Sequence, residues 1–170
     1  DDGYITYAGT RMYSHAFATL FLAEIYGMTH RDDVRVKLQK AVDFIVKGQN
    51  DEGGWRYNPV PYDADVSVTI CQVMGLRSAR NAGIKVPRET IDRAVRYVRD
   101  CQNPDGGFRY MIQPGGSAWP RTAAASPCTA TPSPATGCWC PPSRSSHHPC
   151  SGSRLAPLPG CSSAAPSMSG

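Results

Sequence analysis

Few residues in this 170-residue chain have the types and spacing that could do chemistry. Asp63 and Asp65 set two carboxylates two residues apart in Tyr62-Asp63-Ala64-Asp65-Val66-Ser67. A carboxyl can donate its proton in a reaction only if its surroundings keep it protonated until transfer, and burial does this. The plainer reading is local: Asp65 or Ser67 is the N-cap of a following helix, where the helix dipole favours a carboxylate. His15, in Met12-Tyr13-Ser14-His15, titrates near neutral pH and suits acid–base exchange. Its alternative is a histidine hydrogen-bonded at a polar helix end, or solvated. Arg77, Arg80, Arg88, Arg93, Arg96 and Arg99 could gather a pyrophosphate, but their spacing is mostly that of a solvated face paired with Glu89, Asp92 and Asp100. Cys71 and Cys101 read as small buried hydrophobes. Cys138, Cys140, His147, His148 and Cys150 are zinc-ligand types, yet C-x-C and H-H-x-C spacing lacks paired C-x-x-C units. No metal and no cofactor is expected.

The elements that must position these residues follow from composition. All 14 acidic residues and 16 of the 18 basic ones lie in 1–122. Residues 123–170 hold 9 of the 15 prolines and 5 of the 7 cysteines, with no Ile, Val, Asp, Glu or Lys. The expected division is a globular part, 1–122, and a Pro/Ser/Cys-rich tail, 123–170, that cannot build a core. The tail reads as disordered, or as out-of-frame translation of a GC-rich gene. Asp1 stands where a start Met would be, and the expectation is a piece of a longer protein. No apolar run approaches the roughly 18 residues of a membrane span, and no signal-peptide pattern is present. Basic and acidic residues alternate in 1–122, which is no nucleic-acid footprint. No Walker or dinucleotide-type glycine loop occurs.

Within 1–122 the chain repeats. Ala41-Val42-Asp43-Phe44-Ile45 matches Ala94-Val95-Arg96-Tyr97-Val98. Gln49-Asn50 then leads to Gly53-Gly54-Trp55-Arg56-Tyr57, and Gln102-Asn103 to Gly106-Gly107-Phe108-Arg109-Tyr110, all 53 residues apart. A degraded copy, Gly3-Tyr4-Ile5-Thr6-Tyr7, opens the chain. Residues 14–26 and 67–82 are apolar nearly all round, as buried helices are, with Gly27 and Gly83 as stops. Residues 32–48 and 87–101 are amphipathic, carrying Val34, Leu38, Ala41, Val42 and Ile45, then Ile91, Ala94, Val95, Val98 and Cys101, on one face. Pro87 suits the first turn of the latter helix. The predicted order is inner helix, outer helix, glycine-rich turn, twice over, with a third inner helix begun at Ser117 and broken off near Ser126. Ser14, Ser67 and Ser117 read as equivalent helix starts.

Gln49-x-x-x-Gly53-x-Trp55 matches the Q-x-x-x-G-x-W motif of squalene and related terpene cyclases, and Gln102, Gly106 and Phe108 repeat it with Phe for Trp. Over 1–122 the chain resembles the prenyltransferase/squalene-cyclase repeat superfamily. The resemblance implies an all-α fold, a partial α/α toroid, with hairpins missing on both sides. It implies that these six residues are structural: Gln caps a helix end, Gly permits a tight turn, and the ring stacks on the neighbouring repeat. It also implies that Asp63 and Asp65 match the first and second acids of the Asp-x-Asp-Asp motif of proton-initiated cyclases, whose middle Asp protonates an alkene or epoxide. Val66 stands where the third acid would be. Tyr13 and His15 would line the cavity with Asp65. Protein prenyltransferases of the superfamily hold zinc through an Asp, a Cys two residues on and a distant His; here Ser67 stands at the Cys position and Cys71 lies six residues after Asp65. Two functions follow. One is a squalene/terpene-cyclase-like isomerase acting on an isoprenoid or other apolar small molecule in the toroid cavity, with peripheral membrane contact and with this piece alone inactive. The other is a non-catalytic binding or scaffold toroid.

Overall fold

The computed structural model describes residues 2–129. The expectations for the tail beyond Thr129 lie outside the described residues. Those residues form five α-helices: α1 (Arg11–Thr29), α2 (Asp32–Lys47), α3 (Val66–Asn81), α4 (Arg88–Asp100) and α5 (Trp119–Thr129). The fold is all-α, in two layers. α3 packs between α1 and α5 to make an inner row. α2 lies against α1 and α3, and α4 against α3 and α5, as the outer row.

The outer helices form for the reasons their sequences give. Asp32 and Asp33 open α2 and Lys47 closes it, complementing the helix dipole. Its buried stripe is Leu38, Ala41, Val42 and Ile45. α4 buries Ile91, Ala94, Tyr97 and Val98, while Val95 is only half-buried. Pro87 is its N-cap rather than a residue of its first turn. α3 is buried along most of its length, through Val66, Val68, Ile70, Val73, Leu76 and Ala79. A side chain at Gly75 would come within 3.0 Å of the Ala16 carbonyl, so glycine lets α3 approach α1.

Two helix ends differ from expectation. α1 runs through Gly27 and stops at His30, whose left-handed conformation (φ 52°) lets its amide donate to the Tyr26 carbonyl at 2.8 Å. Gly83 (φ 87°) ends α3 as the sequence suggests. α5 continues past the 122/123 boundary to Thr129, because Ala123–Ala125 favour helix and Pro127 falls in the last turn, where it removes only one ladder bond.

The two glycine-rich turns are built alike. The Gly53 amide donates to the Asn50 carbonyl at 3.0 Å, and the Gly106 amide to that of Asn103 at 2.9 Å. The Trp55 amide donates to Thr69 Oγ1 and the Phe108 amide to Thr122 Oγ1, each at 3.1 Å. Both rings are buried, and Trp55 Nε1 also donates to the Ile45 carbonyl at 2.8 Å. The first two inner helices are also tied to the next turn: the Met12 amide of α1 donates to the Tyr57 carbonyl at 3.1 Å, and the Val66 amide of α3 to that of Tyr110 at 2.9 Å.

Candidate functional site

Asp65 is the N-cap of α3. Its Oδ1 accepts from the Val68 amide at 2.9 Å, and its own amide donates to the Trp55 carbonyl at 2.9 Å. The residue is wholly buried. Oδ2 has no hydrogen-bond partner; Arg56 Nε stands 3.9 Å away. Burial raises the Asp65 carboxyl above the usual carboxylate range, against the opposing pull of the Val68 amide, the Arg56 guanidinium, the Ser67 amide and the Tyr110 hydroxyl. The cap and the buried acid are therefore the same residue.

Around it the turns deliver an aromatic and cationic cluster. Arg56 donates to Asp63 Oδ2 at 2.7 Å, and its guanidinium lies 5.5 Å from the Tyr57 ring centre and 5.7 Å from that of Tyr110. The Tyr57 and Tyr110 hydroxyls hydrogen-bond to each other. Tyr13, on α1, packs on Tyr57 with ring centres 5.8 Å apart. Burial and the Asp65 charge raise its hydroxyl pKa, and a bond to Ser67 opposes them. Asp63 and Asp65 thus share one cation but not one environment, since Asp63 is part-exposed and Asp65 is not. Arg56 was not among the residues expected to act. Its only signal in the sequence is its place seven residues before Asp63, inside the repeated turn.

From this cluster an open stripe runs along two inner helices. Tyr13, Phe17, Phe21, Glu24 and Met28 recur at helical spacing on α1, as Ser67, Cys71, Met74 and Ser78 do on α3. Further along, Ser78 Oγ donates to Glu24 at 2.6 Å, which joins the two stripes. Phe17, Phe21, Met28 and Met74 are exposed. These apolar positions on inner helices face no helix among the described residues. Burial holds the Cys71 thiol up, at about 11, which leaves it a poor nucleophile.

His15 is elsewhere. It is wholly buried, its Nδ1 accepts from the Ile5 amide at 3.1 Å, and its Nε2 lies 3.0 Å from the Ala41 carbonyl. The first bond leaves Nδ1 unprotonated, so Nε2 carries the proton and donates it to Ala41. Tyr4 and Phe44 pack on the ring. The Ile5 amide on His15 repeats the Trp55 amide on Thr69 and the Phe108 amide on Thr122. His15 therefore holds the position at which the later repeats use threonine, and none of its contacts is with Asp63 or Asp65. The same register sets Ser117 opposite Ala64, not Ser67: a side chain at Gly54 would meet Ala64, and one at Gly107 would meet Ser117, each at 2.5 Å.

Burial lowers the His15 pKa below 6.5, so the unfolded chain binds the proton more readily than the native one. Native stability tied to this group is present above about pH 6.5 and falls as the pH drops through that value. The expected result is a loss of stability from pH 7 toward about pH 5 that His15→Thr flattens, read from urea midpoints across that range. An unchanged slope in the variant would show that other groups set it.

Gln49 Nε2 donates to the Gly53 carbonyl at 2.8 Å and to that of Thr90 on α4 at 2.9 Å. Among the described residues Gln102 Nε2 reaches only the Gly106 carbonyl, at 3.3 Å. The residues present do not fit a catalytic zinc of the prenyltransferase kind. Ser67 replaces the thiolate beside Asp65, His15 is sequestered, and no group of three His, Cys, Asp or Glu side chains converges among the described residues. No helix there is long and apolar enough to cross a membrane.

Inner and outer helical rows joined by glycine-rich turns define an α/α-toroid repeat. The chain belongs to the prenyltransferase alpha-alpha toroid domain family, whose profile matches residues 2–118. No curated protein and no solved structure matches it.

Proposed function

We propose that this chain is the acid-bearing part of a squalene/terpene-cyclase-like toroid, in which Asp65 protonates an isoprenoid lying on the open stripe of α1 and α3. The observation that carries the reading is Asp65 Oδ2: buried, without a hydrogen-bond partner, and on a carboxyl held above its ordinary range. The step is an isomerisation. The Oδ2–H bond breaks, its proton adds to one alkene carbon, and the other carbon becomes a cation that neighbouring double bonds attack. A final proton loss restores neutrality, so no oxidant or reductant is needed. Tyr13 supplies a ring at the end of the stripe that can favour a cation, while the Tyr57 and Tyr110 rings already hold the Arg56 guanidinium.

The test is product analysis after incubating the full-length protein with squalene, beside its Asp65→Asn variant. Turnover is expected to fall by about 10²–10⁴-fold, the usual contribution of a positioned acid. Asparagine retains an Oδ1 that caps α3, so folding should survive. Because the Asp65 pKa is raised in the native state, its stabilising linkage is present below the unfolded value and lost as the pH rises through the native one. The variant should therefore be no less stable than the parent near neutral pH. Equal turnover by both proteins would end the acid assignment.

A second reading has one observation in its favour. Val66, where the motif's third acid would stand, is wholly buried in the core. That favours a toroid that binds an apolar ligand without transforming it, and the same experiment would then return no product from either protein.

A further inference from the structure

Arg56 has a repeat counterpart that behaves differently. Arg109 stands 53 residues on, at the same place in the next turn. Its guanidinium turns back and donates to the Asp100 carbonyl at the end of α4. Fifty-three residues after Asp63 and Asp65 stand Gly116 and Ala118, so neither carboxylate is repeated. The aim of Arg56 toward the start of α3 therefore belongs to this turn and not to the repeat. It is fixed on several sides. Nη1 donates to Asp63 Oδ2 at 2.7 Å and to Met111 Sδ at 3.4 Å, and the Tyr57 and Tyr110 ring centres lie 5.5 and 5.7 Å from the guanidinium. Nε faces Asp65 Oδ2 at 3.9 Å. Four other titratable groups around Asp65 are uncharged near neutral pH: burial pushes up the hydroxyls of Tyr13 on α1, Tyr97 on α4 and Tyr110, and holds the Cys71 thiol of α3 at about 11.

We propose that Arg56 is the counter-ion that receives the Asp65 carboxylate when its proton leaves, and that Asp63 is a positioning residue that holds Arg56 in place. The inference rests on Asp65 as the acid of the proposed reaction. In that step the Oδ2–H bond breaks, the proton goes to the alkene carbon, and the electron pair stays on Oδ2. A buried carboxylate is costly unless it is paired. From 3.9 Å the guanidinium needs to close by about 1 Å to make a charge-assisted hydrogen bond. The contact is loose before transfer and favourable after it, and an interaction that strengthens along the step is one that accelerates it.

The first readout needs no turnover. It is the titration midpoint of Asp65 in the 170-residue chain, followed by carbon-13 NMR of the aspartate carboxyls and assigned with Asp65→Asn. Arg56→Gln is expected to raise the midpoint, weakening the acid about tenfold. That is the low end for a cation at this distance, because Arg56 is part-exposed and shared with Asp63. Arg56→Lys should restore most of the difference. Asp63→Asn should raise the midpoint with Arg56 in place and not in the Arg56→Gln background. The second readout is the squalene assay. Arg56→Gln should lower kcat about 3–10-fold with KM little changed, while the loss of activity at high pH moves to higher pH, since the weaker acid keeps its proton longer. An unchanged Asp65 midpoint in Arg56→Gln, or an unchanged kcat and pH limb beside an active parent, overturns the counter-ion. Equal shifts from Asp63→Asn in both backgrounds overturn the positioning role. A parent without turnover ends the acid assignment instead, and the NMR midpoints then decide the counter-ion alone. If Arg56→Gln unfolds the chain, Asp63→Asn decides, and a midpoint unmoved or lowered overturns the proposal.

Discussion

Trp55→Ala is expected to cost about 3–5 kcal/mol of folding stability, the range for emptying a buried aromatic site. The ring is 1 % exposed and sits where α2, the turn and α3 meet. It packs beside Gly48, where an added side chain would be 3.6 Å from the ring, so the helix end closes directly over it. Its Nε1 bond to the Ile45 carbonyl fixes the end of α2 to the turn, and a buried donor of this kind contributes about 0.5–1.5 kcal/mol. Trp55→Phe keeps the aromatic chemistry that Phe108 provides in the second turn but loses that bond and some volume. It should cost about 1–3 kcal/mol. Urea denaturation of both variants checks the order. A domain of this size is stable by only about 5–15 kcal/mol, so the alanine variant should approach the limit of folding. A Trp55→Ala midpoint equal to that of the parent would mean the turn does not organise the core.

Gly53→Val should be comparably severe for a different reason. The position needs a left-handed backbone (φ 96°), which costs a residue with a branched side chain about 1–2 kcal/mol. The new Cβ would also lie 2.6 Å from the Arg93 carbonyl oxygen and 2.8 Å from its carbon. Both are backbone atoms, so relief requires moving α4 as a body, and overpacking of that kind adds about 1–3 kcal/mol. Gly106→Val is the internal control: the same strain (φ 80°) without the clash. Thermal melts of the two variants should differ, Gly53→Val melting lower. Equal losses would show that backbone strain alone governs both turns.

The sequence reveals the repeat because glycine and aromatic residues recur at fixed spacing where turns need them. It conceals His15 for the same reason. Ile5 leans on His15 ten residues on, whereas Trp55 and Phe108 lean on threonines fourteen residues on. Spacing alone therefore aligns the first helix with the others incorrectly. Gly27 looks like a stop because glycine usually is one, yet a left-handed His30 serves instead. Asp65 as a helix cap was legible from its neighbours in sequence. The burial and surroundings of its Oδ2 were not, since those depend on Arg56 from the preceding turn and Tyr110 from the following one. Whether a carboxyl keeps its proton is decided by residues that the fold, not the chain order, places beside it.

The bonds from Met12 to Tyr57 and from Val66 to Tyr110 have a consequence for how the molecule comes into being. The starts of α1 and α3 are each completed by a carbonyl made about 45 residues later. During synthesis, α1 must wait for the turn at Tyr57 and α3 for the turn at Tyr110 before their first amides find these partners. Assembly therefore trails the ribosome by about one repeat, and each newly made hairpin remains provisional until its successor emerges.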